Sequence, residues 1–434
     1  MSDVFTARGR IQAMLDVEAA LAEVESSLGV IPATAAKPIA EVCRAEHYDP
    51  TQLAEEARRA GNLAIPLVRR LRAQVAQKDD DASRYVHWGA TSQDIIDTAL
   101  VLQLRESVPG IVADLHRASG AAAGHAKDHG RTVMAGRTWL QQSTPITFGL
   151  KSAGWFDALD RVQHQLQEAF DRTLVLQFGG ASGTLAALGP RGIDVAGALG
   201  ARLQLTVPPM PWHSHRDRIA ALACALGVAA GTLGKIGRDL ALLAQTEVDE
   251  VRDPPEDSGE SSTMPQKRNP VHAATAVAAA TRAPGLVATI LSAMPQEHER
   301  GIGNWQAEWD ALPELVGAVA ESAAAMAGSL EHLIVDSTRM RANLDSTHGV
   351  IMAEAITMRL APRLGKSQAH AIVAAACRRA MEERRHLRDV LLDDPSVANV
   401  LGKAEIVETL SPDRYLGATA TFIERTLGER GPRE

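Results

Sequence analysis

Aromatic side chains are scarce in this chain: Phe, Trp and Tyr together make up 3% of its residues. A core short of rings must be closed with small aliphatic side chains, and alanine is abundant. Alanine has the best helix propensity and loses no side-chain entropy on ordering, so the composition implies close-packed helices. Cysteine is scarce too. Cys43, Cys224 and Cys377 are odd in number, far apart and without CxxC spacing, which excludes a disulfide framework and a structural zinc site. Positive charge is outweighed, with 45 Lys and Arg against 53 Asp and Glu and a formal net charge of −8. That argues against a nucleic-acid surface, although a small anionic ligand needs only a local basic pocket. The opening MSDVFTARGR contains no apolar stretch of a secretory signal, and with the cysteine usage this points to a reducing cytoplasm. The run from Ile219 to Gly234 is uncharged but shorter than the ~20 residues a membrane span needs, so it reads as a buried helix of a soluble protein.

The 434 residues exceed what one core fills, since single cores stop growing near ~250–300 residues. Helical periodicity dominates. Arg10 to Leu28 places Ile11, Met14, Leu15, Leu21 and Val24 near one face, with Glu18, Glu23 and Glu25 interspersed, and Gly29 and Pro32 end it. Arg216 to Val251 contains no proline and predicts one helix of about 54 Å. Gly227, Gly231 and Gly234 inside it each cost about 1 kcal/mol relative to alanine, which close approach of a neighbouring helix would offset. A helix this long suits a bundle shared between subunits. Strand signals are few: Leu174 to Phe178 is either a short strand or a helix end, and Gly179, Gly180 and Gly183 mark a loop after it. The expected fold is all-α with three helical regions: residues 1–105, a central long-helix bundle over 106–345, and 346–434.

Three segments carry chemistry. DPPEDSGESSTMPQKRNP, Asp253 to Pro270, must be a loop. Ser261 and Ser262 offer hydroxyls in it, Lys267 a positive charge and Asn269 an amide, a set suited to binding a carboxylate and stabilising an enolate-like charge. RYVHWGATSQDIIDTALVLQLR, residues 84–105, puts Thr91 and Ser92 at a helix N-terminus, where a cap and an anion site coincide. His87 just before it is either structural or a proton-transfer group. GRTWLQQSTPITFG, residues 136–149, supplies Thr138, Trp139 and Gln141. HER at 298–300 adds Arg300, either a carboxylate ligand or a helix-surface salt bridge. GKS at 365–367 lacks the upstream glycine of a phosphate loop, and Gly179 to Gly183 follows no convincing strand. His213 and His215 have no Cys or His partner in register, so no metal is expected.

SSTMPQKRNP resembles the signature loop of the fumarase/aspartase superfamily, which includes fumarase, aspartase, argininosuccinate and adenylosuccinate lyases and the bacterial carboxymuconate cycloisomerases. Glu260 stands where the superfamily has a glycine. The resemblance implies that Ser261 is the general base and that Lys267 and Asn269 contact substrate carboxylates and hold the loop. It also implies that Thr91, Ser92, Thr138, Gln141, Ser262 and Met264 contact substrate, and it matches His87 to a histidine near the substrate of adenylosuccinate lyases. Trp139 stands where the fumarate-releasing lyases usually have an acid histidine, and an indole only donates. GRTWLQ instead resembles the cycloisomerase branch. So do RGRIQAMLDVEAALA, GNLAIPLV, LVLQFGGASGTLAALG, PWHSHRDR and MPQEHERG, a likeness running from about residue 8 to residue 418. That branch implies a small tricarboxylate substrate, no metal or organic cofactor, and a homotetramer with active sites shared between subunits. Two readings stay open here: another superfamily lyase, chiefly adenylosuccinate lyase, and a non-catalytic crystallin-like homologue.

Overall fold

The first long helix, Ala7–Ser27, shows how local sequence sets this fold. The Thr6 hydroxyl accepts from Gly9 N and starts it, and Gly29, at a φ of 67°, ends it. Ile11, Met14, Leu15, Leu21 and Val24 are buried as their spacing predicts. Glu18 and Glu25 are buried with them, at 1% and 0% exposure, which the pattern did not indicate. This computed structural model describes residues 3–254, 259 and 261–428. Among them are eighteen α-helices, and sheet is confined to two short antiparallel pairs, so the expected all-α class is what the chain adopts.

The chain divides into two compact units. One comprises residues 1–114, 162–231 and 279–322; the other comprises 115–161, 232–278 and 323–434. Five helices of 23 to 37 residues divide their residues between them: Ser92–Asp128, Phe148–Thr173, Asp217–Leu243, Val271–Ala293 and Asn304–His332. The first unit encloses Met14, Leu53, Leu67, Leu71, Val101 and Leu226. At its centre the fully buried Arg216 guanidinium pairs with Asp97 and Glu308 and lies over the Trp212 ring. The second unit has a separate core of Ile356, Leu360, Val373, Leu387, Leu391 and Ile406 in its C-terminal helices.

The helix expected from Arg216 to Val251 runs from Asp217 to Leu243 and stops short. Arg339 and Asn343 side chains capture the Glu247 and Val248 carbonyls, Asp249 turns to a φ of 50°, and the Glu250 carboxylate is carried inside. A Cβ on Gly227 would meet Val287 at 2.8 Å and one on Gly237 would meet the Ala273 carbonyl at 2.9 Å, so Val271–Ala293 does approach closely. At Gly231 nothing lies within 4 Å, and close packing inside the chain does not explain that glycine. Leu174 to Phe178 forms no strand: the helix ends at Thr173, and Val175 makes one parallel bridge to Thr206.

Asp217–Leu243 and Val271–Ala293 are both long and apolar enough to cross a membrane by length and composition. The first buries Ile219, Leu222, Leu226 and Leu233 on one face and leaves Ala221, Val228 and Gly231 exposed. The second exposes Ala274, Ala278, Gly285 and Ala288.

Candidate active site

In the first unit, the N-terminus of Ser92–Asp128 is built around one buried carboxylate. Asp94 Oδ2 accepts from Thr91 N at 3.0 Å and Gly180 N at 2.9 Å, while Oδ1 accepts from Gly179 N, Gln177 Nε2 and His213 Nε2 at 2.8–3.1 Å. The backbone contact is one half of a capping box, with the acid reaching back to the residue before the helix. The Thr91 hydroxyl is left to accept from Arg300 Nη1 at 3.1 Å. Arg300 lies in a turn rather than on a helix, donates from Nη2 to the Ala181 carbonyl at 2.9 Å, and keeps a buried Nε without a partner. It faces no carboxylate among the described residues, so the salt-bridge alternative gives way to a cation beside a helix N-terminus. That combination of charge and free backbone N–H groups suits an anion. Ser92 opens the helix beside it, half-buried.

His87 enters this region with a φ of 62°, and its Nδ1 lies 2.6 Å from Glu18 Oε1. Burial works against the charged imidazole, but the adjacent Glu18 carboxylate outweighs it. Asp94 adds to the effect and Arg72 opposes it, and the His87 pKa is raised above its ordinary value.

The second unit, taken by itself, holds two further segments singled out from sequence. β1 (Val133–Thr138) and β2 (Gln141–Thr147) form a hairpin that sequence patterning missed. Its two-residue turn is Trp139–Leu140, at φ values of 53° and 62°. Such turns normally take Asn-Gly, because bulky residues are strained at positive φ. The Trp139 side chain is 97% exposed and Leu140 73%; Thr138 and Gln141 pair across the last rung, both exposed.

The signature loop leaves from β3 (Val251–Arg252), which pairs with β4 (Ile334–Val335). It is pinched by reciprocal backbone bonds of 3.0 Å between Gly259 and Asn269. Ser261 Oγ accepts from Met264 N at 3.1 Å and Thr263 N at 3.4 Å. Ser262, Met264 and Lys267 are exposed, and Asn269 is half-buried. Glu260, the departure from the superfamily pattern, lies outside the described residues. Next to the loop is a cavity of about 770 Å³, lined in part by Gln245, Asp249, Arg252, Met264, Lys267 and Asn269.

Asp94, Glu18, Arg137 and Glu250 organise these segments and were not singled out from sequence. For Asp94 the signal existed, since T-x-x-D before an apolar run is a capping-box pattern. The other three reveal themselves only through partners distant in sequence.

A polar helix N-terminus, a hydroxyl-rich loop and long helices define a class, and the chain belongs to the lyase family of the fumarase/aspartase superfamily. Residues 1–285 match the family described as lyase, and residues 349–426 match the adenylosuccinate lyase C-terminus. Within it, the chain is 53% identical to 3-carboxy-cis,cis-muconate cycloisomerase of Pseudomonas aeruginosa, over 99% of this chain and 94% of that one. It is 51% identical to the enzyme of the same name from Bradyrhizobium diazoefficiens, over 97% and 93% of the two chains. The crystal structure of 3-carboxy-cis,cis-muconate lactonizing enzyme from Pseudomonas putida superposes with a TM-score of 0.91 at 48% identity, covering 98% and 95% of the two chains. The chain is an enzyme of this superfamily, with its long-helix fold.

Proposed function

We propose that this chain catalyses the reversible lactonisation of 3-carboxy-cis,cis-muconate to 4-carboxymuconolactone (γ-carboxymuconolactone), in protocatechuate breakdown through the β-ketoadipate route. The observation that carries the reading is Trp139, an indole 97% exposed on a strained turn. By the resemblance, it occupies the position where fumarate-releasing members of the superfamily usually have a histidine. The adenylosuccinate lyase C-terminal match, at 349–426, contains none of the candidate site residues and does not favour that substrate.

The chemistry follows from the groups. In the lactone-forming direction, a terminal carboxylate oxygen adds to the alkene carbon bearing the central carboxyl. The adjacent carbon, α to the remaining carboxylate, takes a proton from the Ser261 hydroxyl. In reverse, the Ser261 alkoxide removes that proton, fixed donors hold the aci-carboxylate, and the ring oxygen departs as a carboxylate. A carboxylate is already stable as an anion and needs no strong acid, so this reaction tolerates the loss of histidine at 139. The backbone N–H groups of Thr263 and Met264 aimed at Ser261 Oγ favour its alkoxide. Lys267 and Asn269 hold substrate carboxylates and the loop. Arg300, Thr91, Ser92, Thr138, Gln141, Ser262, Met264 and Trp139 complete the contacts, and His87 is a cationic donor or proton carrier beside them.

The exposed small-residue stripes of Asp217–Leu243 and Val271–Ala293 support a homotetramer in which neighbouring subunits complete each site. The division at 105 and 345 is retained, with the separate C-terminal core in support of the last domain. The enzyme works in the cytoplasm without metal or organic cofactor. The test is loss of muconate ultraviolet absorbance on adding enzyme, insensitive to a chelator. Fumarate release from adenylosuccinate or argininosuccinate would replace the reading with a lyase, and no turnover of any of these would favour the crystallin-like one.

A further inference from the structure

Beneath the hairpin tip lies a buried polar clamp that the proposed chemistry does not use. The Glu250 carboxylate, 0% exposed, accepts from both ends of the Arg137 guanidinium, Nη1 to Oε2 at 2.8 Å and Nη2 to Oε1 at 2.7 Å. Asn343 Nδ2 donates to the same Oε1 at 2.9 Å and to the Val248 carbonyl at 2.6 Å. The Asn343 carbonyl in turn accepts from Gln142 Nε2 at 2.9 Å. Arg137 precedes Thr138 on β1 and Gln142 follows Gln141 on β2, so both strands are tied one residue below the rung that closes the Trp139–Leu140 turn. Glu250 also leads directly into β3, the root of the signature loop, and its carbonyl accepts from Asp336 N at 3.0 Å. One carboxylate therefore holds the turn that presents Trp139 and the start of the loop that carries Ser261.

We propose that Glu250, through Arg137 and Asn343, is a positioning residue that fixes the Trp139 turn against the root of the Ser261 loop for the lactonisation. A turn with two bulky residues at positive φ is not held by its own backbone preferences. A two-pronged guanidinium–carboxylate pair fixes orientation as well as distance. Burying such a pair is a poor device for stability alone, because desolvation offsets most of the attraction. Its use is geometric, and a misplacement of about 1 Å at reacting groups costs roughly 10²-fold in rate. The proposal rests on the lactonisation reading for its kinetic arm only.

The experiment compares wild type with Glu250→Gln, which keeps the shape and removes the charge, and with Arg137→Lys, Gln142→Ala and Trp139→Ala. Hydrogen exchange in the free enzyme needs no substrate: Glu250→Gln should speed exchange across both Val133–Thr147 and Val251–Asp253, with the helical circular dichroism unchanged. Unchanged exchange in either segment overturns the proposal whatever the enzyme acts on. In turnover, Glu250→Gln should lower kcat by about ten- to a hundredfold, and Arg137→Lys by less. The same substitution made on top of Trp139→Ala should cost much less, because the clamp acts through that turn. Wild-type kcat, or an equal factor in both backgrounds, overturns it. If Glu250→Gln does not fold, Gln142→Ala carries the same comparison, since its Oε1 has no partner to lose. A wild type inactive on the muconate would fail the functional reading while the exchange result still decides the clamp.

Discussion

A serine hydroxyl ionises far above neutrality, so Ser261 acts on a carbon-bound proton only where its surroundings favour the alkoxide. Two backbone N–H groups supply part of that, and Ser262 beside it is simply exposed. Ser261→Ala should therefore lower kcat by about 10²–10⁴ with little change in KM, and Ser262→Ala far less; the opposite order, with both proteins folded, would make Ser262 the base. Titration offers a second handle. The His87 pKa is raised by buried Glu18, so the stability the pair contributes is complete below the ordinary 6.5 and is lost as pH rises through the raised value. If the His87 cation helps bind substrate, the alkaline fall of kcat/KM should move to lower pH in Glu18→Gln; an unmoved limb would remove His87 from the reaction. Glu25 runs the other way. Burial, with Glu18 adding, pushes its carboxyl up from 4.5 to about 9, so the fold prefers it protonated and loses stability as pH climbs through that window, by up to ~1.4 kcal/mol per unit. Glu25→Gln should raise Tm at pH 8 and leave it nearly unchanged at pH 5, read by calorimetry. Ser261, Lys267 and Thr91 could be put forward from sequence because they sit in ordered motifs. Sequence hid Glu18 and Glu25 because a glutamate on a helix looks the same whether it faces water or a core.

At the scale of elements, local patterning found helices and missed what tertiary partners impose. Ala244 to Glu250 is compatible with helix residue by residue, yet the helix ends at Leu243 because Glu250 finds Arg137 and Asn343, both about a hundred residues away in sequence. The β1–β2 hairpin was hidden for a related reason: its turn has no Gly or Asn, and its strands carry two strand-breaking residues, Pro145, paired with Ala135, and Gly136, at a bulge where a Cβ would meet the Thr144 carbonyl at 2.7 Å. That strain yields a prediction. Replacing Trp139–Leu140 by Asn-Gly supplies residues that accept positive φ and should stabilise the protein by about 1 kcal/mol or more, raising Tm, while kcat falls sharply. A variant both more stable and fully active would show that the indole has no part in catalysis.

For the whole molecule, composition alone implied packed helices, and the helices are there; composition does not say which apolar faces would be buried within the chain and which would be buried in the proposed tetramer. Gly231 and Val228 sit on the exposed face of an otherwise apolar helix, and Val228 is 51% exposed. On an isolated subunit, Val228→Glu is a surface change and should alter folding stability by no more than about 0.5 kcal/mol. In a tetramer built on that stripe it buries an unpaired charge at each symmetry-related contact, and the assembly should come apart. Light scattering should then show smaller species with helical content retained, and turnover should disappear although no residue proposed to touch substrate has changed. The proposed sharing of sites between subunits has a sharper consequence. If Ser261 and Arg300 of one site come from different subunits, Ser261→Ala and Arg300→Ala proteins, each inactive alone, should regain part of the wild-type rate when dissociated and reassembled together, because some mixed sites then carry neither substitution. No recovery on mixing, or a stable monomer that turns over substrate, would return the whole site to a single chain.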